Sequence, residues 1–155
     1  VMEYREAVER AAVALAAERA TGEELDALCT LADANRDQDD EETGLRDASD
    51  FHVALARLSR NQFFADAMAG ALTRLFRARW LLVRTQESRS RARDEHLEIA
   101  AAVRARDADK AVALTVAHCH DTRDRLLDCL TEERRRLRGR GFSIIESPAP
   151  AAATD

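Results

Sequence analysis

Helix breakers are nearly absent from this chain. Glycine occurs five times and proline twice in 155 residues, and aromatic side chains are only 5% of the total. What remains is dominated by Ala, Leu, Arg and Glu, all strong helix formers. The scarcity of turn residues argues against a strand-rich fold and for an all-α bundle with a core of Leu, Val, Ala and Phe. No apolar run approaches the ~18 residues of a membrane span, and no signal-peptide apolar region is visible, so the chain reads as cytoplasmic with no membrane partner. Positive charge is not in excess: the formal net charge is -5, which gives no electrostatic reason for tight binding to nucleic acid. Cysteine is sparse too. Cys29, Cys119 and Cys129 form no C-x-x-C pair and are odd in number, and each sits in an apolar helical pattern, so reduced, partly buried thiols are expected.

The length suits one domain that buries roughly two-thirds of its unfolded surface. Val1 falls in mid-pattern, with helical periodicity already present by Glu3, as expected of a piece of a longer polypeptide. A first helix is predicted over Met2–Ala20, with Val8, Ala11, Ala12, Leu15 and Ala16 inward. In "TGEE", Thr21 and Glu24 form a capping box that opens a second helix. "NRDQDDEETG" has no apolar residue and reads as an exposed acidic loop or frayed helix end. Further helices are expected over Leu45–Leu58, over a long stretch after the N-cap candidate Asn61 up to about Gln86, over Ser90–Arg106, and over Ala108–Arg138. Residues 1–140 form the domain, and the low-complexity tail "SPAPAAATD" within 141–155 is expected to be disordered.

Three of the four histidines lie between Glu95 and His120. Positions three, four and seven apart share a helix face. His52 aligns with Leu45, Ala48 and Leu55, His96 with Ala92, Ile99 and Val103, and His118 with Ala111, Leu114 and Thr115. All three are expected to face the bundle interior, whereas His120, about 200° round from His118, faces solvent or the rim. A single inward histidine is commonly a satisfied core residue. Three on three helices each need a hydrogen-bond partner, and one shared metal ion meets that need through neutral ring nitrogens.

"FHVALARLSRN" (51–61) and "EHLEIAAAVRARDADKAVALTVAH" (95–118), together with the opening "YREAVERAAVALAAERATGEELDAL", resemble the FCD effector-binding domain of FadR-type GntR transcription regulators. The likeness spans about residues 2–135. It implies an antiparallel bundle of six to seven helices that binds a small organic acid, forms a homodimer, and reaches DNA through an N-terminal winged helix-turn-helix missing from this chain. It also implies a divalent metal held by one Asp and three His, the latter falling on His52, His96 and His118. Zn²⁺ is the first expectation, with Ni²⁺ or Mn²⁺ as alternatives.

The chain departs from the family pattern at the carboxylate, because the position four before His52 is Ala48. Asp47 and Asp50 lie about 140° and 160° from the His52 direction on a regular helix. Either Asp47 reaches in through an irregular turn, or three histidines act alone with water or an effector carboxylate completing the shell, or no metal binds.

Arg79 falls on the apolar stripe of Phe64, Met68, Leu72 and Leu75, where a guanidinium either pairs with a carboxylate, of an internal acid or of an effector, or snorkels outward on its stem. Arg5, inward beside Val8 and Ala12, is a second effector candidate. Asn61 (cap or ligand contact) and Thr115 (packing or effector contact) complete the effector set. "ERRRLRGR" near Arg134–Arg140 reads as a solvated helix end whose charge complements the macrodipole, with a DNA-backbone contact as the other reading. Two further functions stay open: a helical-bundle metal-dependent hydrolase with a three-His site, and an interaction module whose inner polar groups satisfy one another.

Overall fold

The computed structural model describes residues 1–33 and 40–140. Among these residues there are six helices and no strand: α1 (Met2–Arg19), α2 (Gly22–Asp33), α3 (Glu41–Leu58), α4 (Gln62–Arg79), α5 (Gln86–Arg104) and α6 (Ala108–Gly139). The all-α bundle expected from composition is what the chain forms. The tail from 141 onward, and with it the expectation of disorder there, lies outside the described residues, as does the first part of the acidic stretch.

Local chemistry explains most boundaries. At α2 the capping box forms as expected, with Glu24 Oε2 accepting from the Thr21 N–H at 2.8 Å and Thr21 Oγ1 accepting from the Glu24 N–H at 3.3 Å. Helix α3 begins four residues earlier than periodicity indicated. Asp40 caps it, its Oδ2 accepting from the Thr43 N–H at 2.9 Å, and Glu41 and Glu42 lie in the first turn. A side-chain cap plus acidic residues at the positive end of the dipole nucleates helix without any apolar residue. Gly44 then leaves room for the Arg89 side chain, since a Cβ there would meet Arg89 Cδ at 2.8 Å.

Between α3 and α4, Arg60 takes a left-handed conformation (φ 60°) and Asn61 caps α4, Oδ1 accepting from the Phe63 N–H at 3.0 Å. Helix α4 stops at Arg79, short of the expected extent. Turn bonds from Leu81 to Ala78 and from Leu82 to Arg79 reverse the chain, and Arg89 Nη1 donates to the Val83 carbonyl at 2.6 Å. No Gly or Pro marks that turn in sequence; a side chain from the first turn of the next helix holds it. Thr85 then caps α5, which starts four residues earlier than expected, and Asp107 caps α6.

Packing places α1 against α6 and α3, α2 against α5 and α3, and α4 against α3 and α1. One apolar cluster joins Val13, Ala16, Leu25, Leu28, Phe51, Leu55, Ile99 and Val103; a second joins Ala12, Ala56, Ala65, Met68 and Leu72. Each large side chain fully buried there contributes about 1.5–3 kcal/mol. The deepest face of α1 differs from the expected one: it carries Arg5, Glu9, Ala12, Val13, Ala16 and Ala17, while Val8, Ala11 and Leu15 are half-buried. Arg5 and Glu9 enter the interior together because each supplies the other's counter-charge. The basic run near Arg134 forms the exposed end of α6, where Arg135 and Arg136 pair with Glu132 and Glu133.

Candidate metal and effector site

Four helices deliver the inner polar group: α1 brings Arg5 and Glu9, α3 His52, α5 His96 and α6 His118. The three rings are 1%, 4% and 5% exposed. Their centroids lie 4.7, 4.9 and 5.1 Å apart, and one ligand nitrogen from each falls within 4.8 Å of the others. Phe51, the neighbour of His52 on α3, stacks on His96 at 4.4 Å and 15°, fixing that ring plane.

Hydrogen bonds sort the ring nitrogens into outer and inner. His52 Nδ1 bonds Glu9 Oε1, and His118 Nδ1 bonds Glu95 Oε2 at 2.7 Å. A carboxylate accepts, so each Nδ1 carries the proton and each Nε2 presents a lone pair. Those lone pairs meet the Arg5 guanidinium, whose Nη2 lies 2.8 Å from His52 Nε2 and 3.4 Å from His118 Nε2. Arg5 Nε donates to Glu9 Oε2 at 3.1 Å, and the Cys119 thiol donates to the same oxygen at 3.4 Å. Among the described residues, His96 Nε2 is buried without a hydrogen-bond partner, as are Arg5 Nη1 and the hydroxyls of Thr115 and Thr122.

The electrostatics follow from burial. His52 is pushed down to about 3, first by desolvation and then by the Arg5 charge, against the pull of Glu9. Desolvation likewise holds His96 well below its ordinary value and lowers His118. All three imidazoles are therefore neutral near pH 7, the form that binds cations. Burial works to raise the Glu9 carboxyl, but His52 and Arg5 outweigh it and keep the group ionised. Burial pushes the Cys119 thiol far up, which makes it unreactive. The three cysteines are free.

A cavity of about 30 Å³ adjoins the rings, lined by Arg5, Ala48, His52, Arg79, His96, His118, Thr122 and Arg125 among others. That volume takes one or two water-sized groups. Arg79, 6% exposed, donates to Ser49 Oγ at 2.8 Å and, among the described residues, makes no ion pair with a carboxylate; desolvation, with the Arg5 charge adding to it, lowers it to about 9. Ala48, standing where the family pattern has Asp, lines this cavity. Asp47 is half-buried on α3, outside both the lining and the group of converging nitrogens. Asn61 serves as the α4 cap and does not line the cavity. Thr115 is fully buried but absent from the lining, a place taken by Thr122 two helical turns further on. His120 is exposed as expected and meets Glu6 Oε2 at 3.1 Å.

Sequence reasoning missed Glu9, Glu95, Thr122 and Arg125. Glu9 had a signal: it stands four residues after inward Arg5, where an ion partner belongs. Glu95 had none, because it serves His118 on another helix and not the adjacent His96.

The FCD domain profile matches residues 1–121. The chain is also 30% identical over 135 residues, 83% of its length, to the Nta operon transcriptional regulator of Aminobacter aminovorans, of which it spans 60%. No solved structure matches. With the profile covering most of the helical bundle, this chain belongs to the FCD domain family.

Proposed function

We propose that this domain is the ligand-sensing and dimerising part of a GntR/FadR-type transcription regulator, and that it binds a small organic acid beside the three-histidine cluster. The observation that carries the reading is the convergence of three buried, neutral imidazoles from three helices onto one point, next to a cavity lined by Arg5, Arg79 and Arg125. Cationic and neutral donors surround that space, so an anion is the complementary guest. The missing carboxylate at Ala48 leaves room where an effector carboxylate fits.

The residues also suit a divalent cation. Glu9 and Glu95 hold the outer nitrogens of His52 and His118, the arrangement by which carboxylates orient metal-binding histidines. His96 Nε2 is buried without a partner, which is costly unless something binds it. His52, His96 and His118 would hold the ion, and its charge would anchor an acid; nitrogen donors favour Zn²⁺ or Ni²⁺ over Mn²⁺.

The chain's own residues supply the response. Arg5, His52, His96 and His118 belong to α1, α3, α5 and α6, so a guest that prefers one spacing of these helices shifts the population toward it. In a full-length regulator that shift would reach a winged helix-turn-helix. A hydrolase would need a free general base at the cluster, whereas the two carboxylates that touch the rings are engaged with Nδ1 atoms.

Thermal denaturation against a panel of mono- and dicarboxylic acids, with and without Zn²⁺, tests the reading. A binding acid at about 100 times its Kd stabilises by about 2.7 kcal/mol, and Arg79→Met abolishes that shift. A flat panel, or steady metal-dependent hydrolysis of simple esters, overturns it.

A further inference from the structure

Arg5 stands where a cation would stand. Its side chain is fully buried, its Nη2 is within 2.8 Å of His52 Nε2 and 3.4 Å of His118 Nε2, and both nitrogens offer it lone pairs. Glu9 grips its Nε from one turn away on the same helix, and that carboxylate also orients His52. One acid thus positions both the seat and its occupant. The fit is incomplete in an informative way: Arg5 Nη1 and His96 Nε2 are each buried without a partner. A planar guanidinium serves two of the rings and leaves the third unserved, while a spherical ion serves all three.

We propose that Arg5 is a built-in competitor for the three-histidine seat, so that a divalent cation enters only as the Arg5 guanidinium leaves it. The proposal rests on the metal reading above and adds what sets its affinity. Two cations cannot share the lone pairs of nitrogens that all lie within 4.8 Å of one another in a desolvated interior. The site therefore holds metal more weakly than three carboxylate-oriented histidines would alone. A guest acid that draws Arg5 toward the adjoining cavity strengthens metal binding, and by linkage metal strengthens acid binding equally.

The test compares Zn²⁺ affinity, by competition with a chromophoric chelator, of the metal-stripped domain and its Arg5→Met variant. A hydrogen bond from a charged donor must be broken on loading, so the variant binds Zn²⁺ about 10- to 100-fold more tightly. Arg5→Met/Glu9→Gln serves in its place where the unpaired Glu9 charge prevents folding, since Gln still accepts from His52 Nδ1. Equal or weaker affinity in the variant overturns the competition while leaving the metal seat intact. No binding by either protein overturns the metal reading and this proposal with it. In the wild type, Zn²⁺ titration followed by NMR of arginine side chains shows the protected Arg5 signal losing its protection as metal binds; a signal that stays protected while Zn²⁺ loads overturns the proposal.

Discussion

A buried imidazole is stable only while neutral, and this interior holds three. His52, His96 and His118 have folded pKa values depressed below the unfolded value of about 6.5, with His52 near 3. Between the folded and unfolded values the unfolded chain binds protons that the folded one refuses, so stability is full above about pH 6.5 and falls as pH falls. Each such histidine removes about 1.4 kcal/mol per pH unit in that window. The depressed Glu9 carboxyl adds to the loss once pH drops below the ordinary carboxylate value of 4.5. Urea unfolding of the chelator-treated protein at pH 7, 6 and 5 is expected to give a steadily falling midpoint; a midpoint unchanged at pH 5 would contradict neutral burial. At this scale the sequence was legible for the inward histidines and for Arg5 and Arg79, because period and polarity conflict visibly at those positions. The carboxylates that make the histidines useful were not, since Glu9 and Glu95 resemble any other Glu of a charged helix until their cross-helix partners are known.

Helices here are defined by caps as much as by apolar faces. Thr21, Asp40, Asn61, Thr85 and Asp107 each accept a backbone N–H at a helix start. Thr85 matters most to the site, because α5 carries both His96 and Glu95. Thr85→Ala is expected to cost about 1 kcal/mol in denaturant unfolding, and Thr85→Ser to cost less than half of that. An alanine variant as stable as the wild type would show that packing alone sets the start of α5. The surface pairs flanking Glu95, Arg91 to Asp121 and Arg125 to Asp121, add little stability in high dielectric. Arg91 and Arg125 also pair with Glu95, at 3.1 and 3.6 Å, and so help hold it against His118. The starts capped by Thr21 and Asn61 were readable in sequence; those capped by Asp40 and Thr85 were placed four residues late because no apolar residue marks them. The end of α4 was missed because Arg89 closes that turn from the start of the next helix.

Across the molecule, the two apolar clusters share helices α1 and α3, and the polar group sits on those helices together with α5 and α6. No linker divides the described residues, so cooperative unfolding is expected. The single tryptophan, Trp80, reports on the corner after α4, and far-UV circular dichroism reports on all helices. Their urea transitions should coincide; an earlier fluorescence transition would reveal that the α4 corner melts by itself.

Composition and periodicity by themselves determined that this chain is helical, roughly where its helices run, and that three histidines and two arginines must point inward. They do so because helix propensity is local and a 3.6-residue repeat aligns faces without knowledge of neighbours. Only the tertiary structure decided that Glu9 and Glu95 hold the outer ring nitrogens, that Arg5 occupies the space between the inner ones, and that Ala48 borders the cavity. Those facts depend on how four helices meet, a relation set by packing and charge pairing between residues up to 113 positions apart.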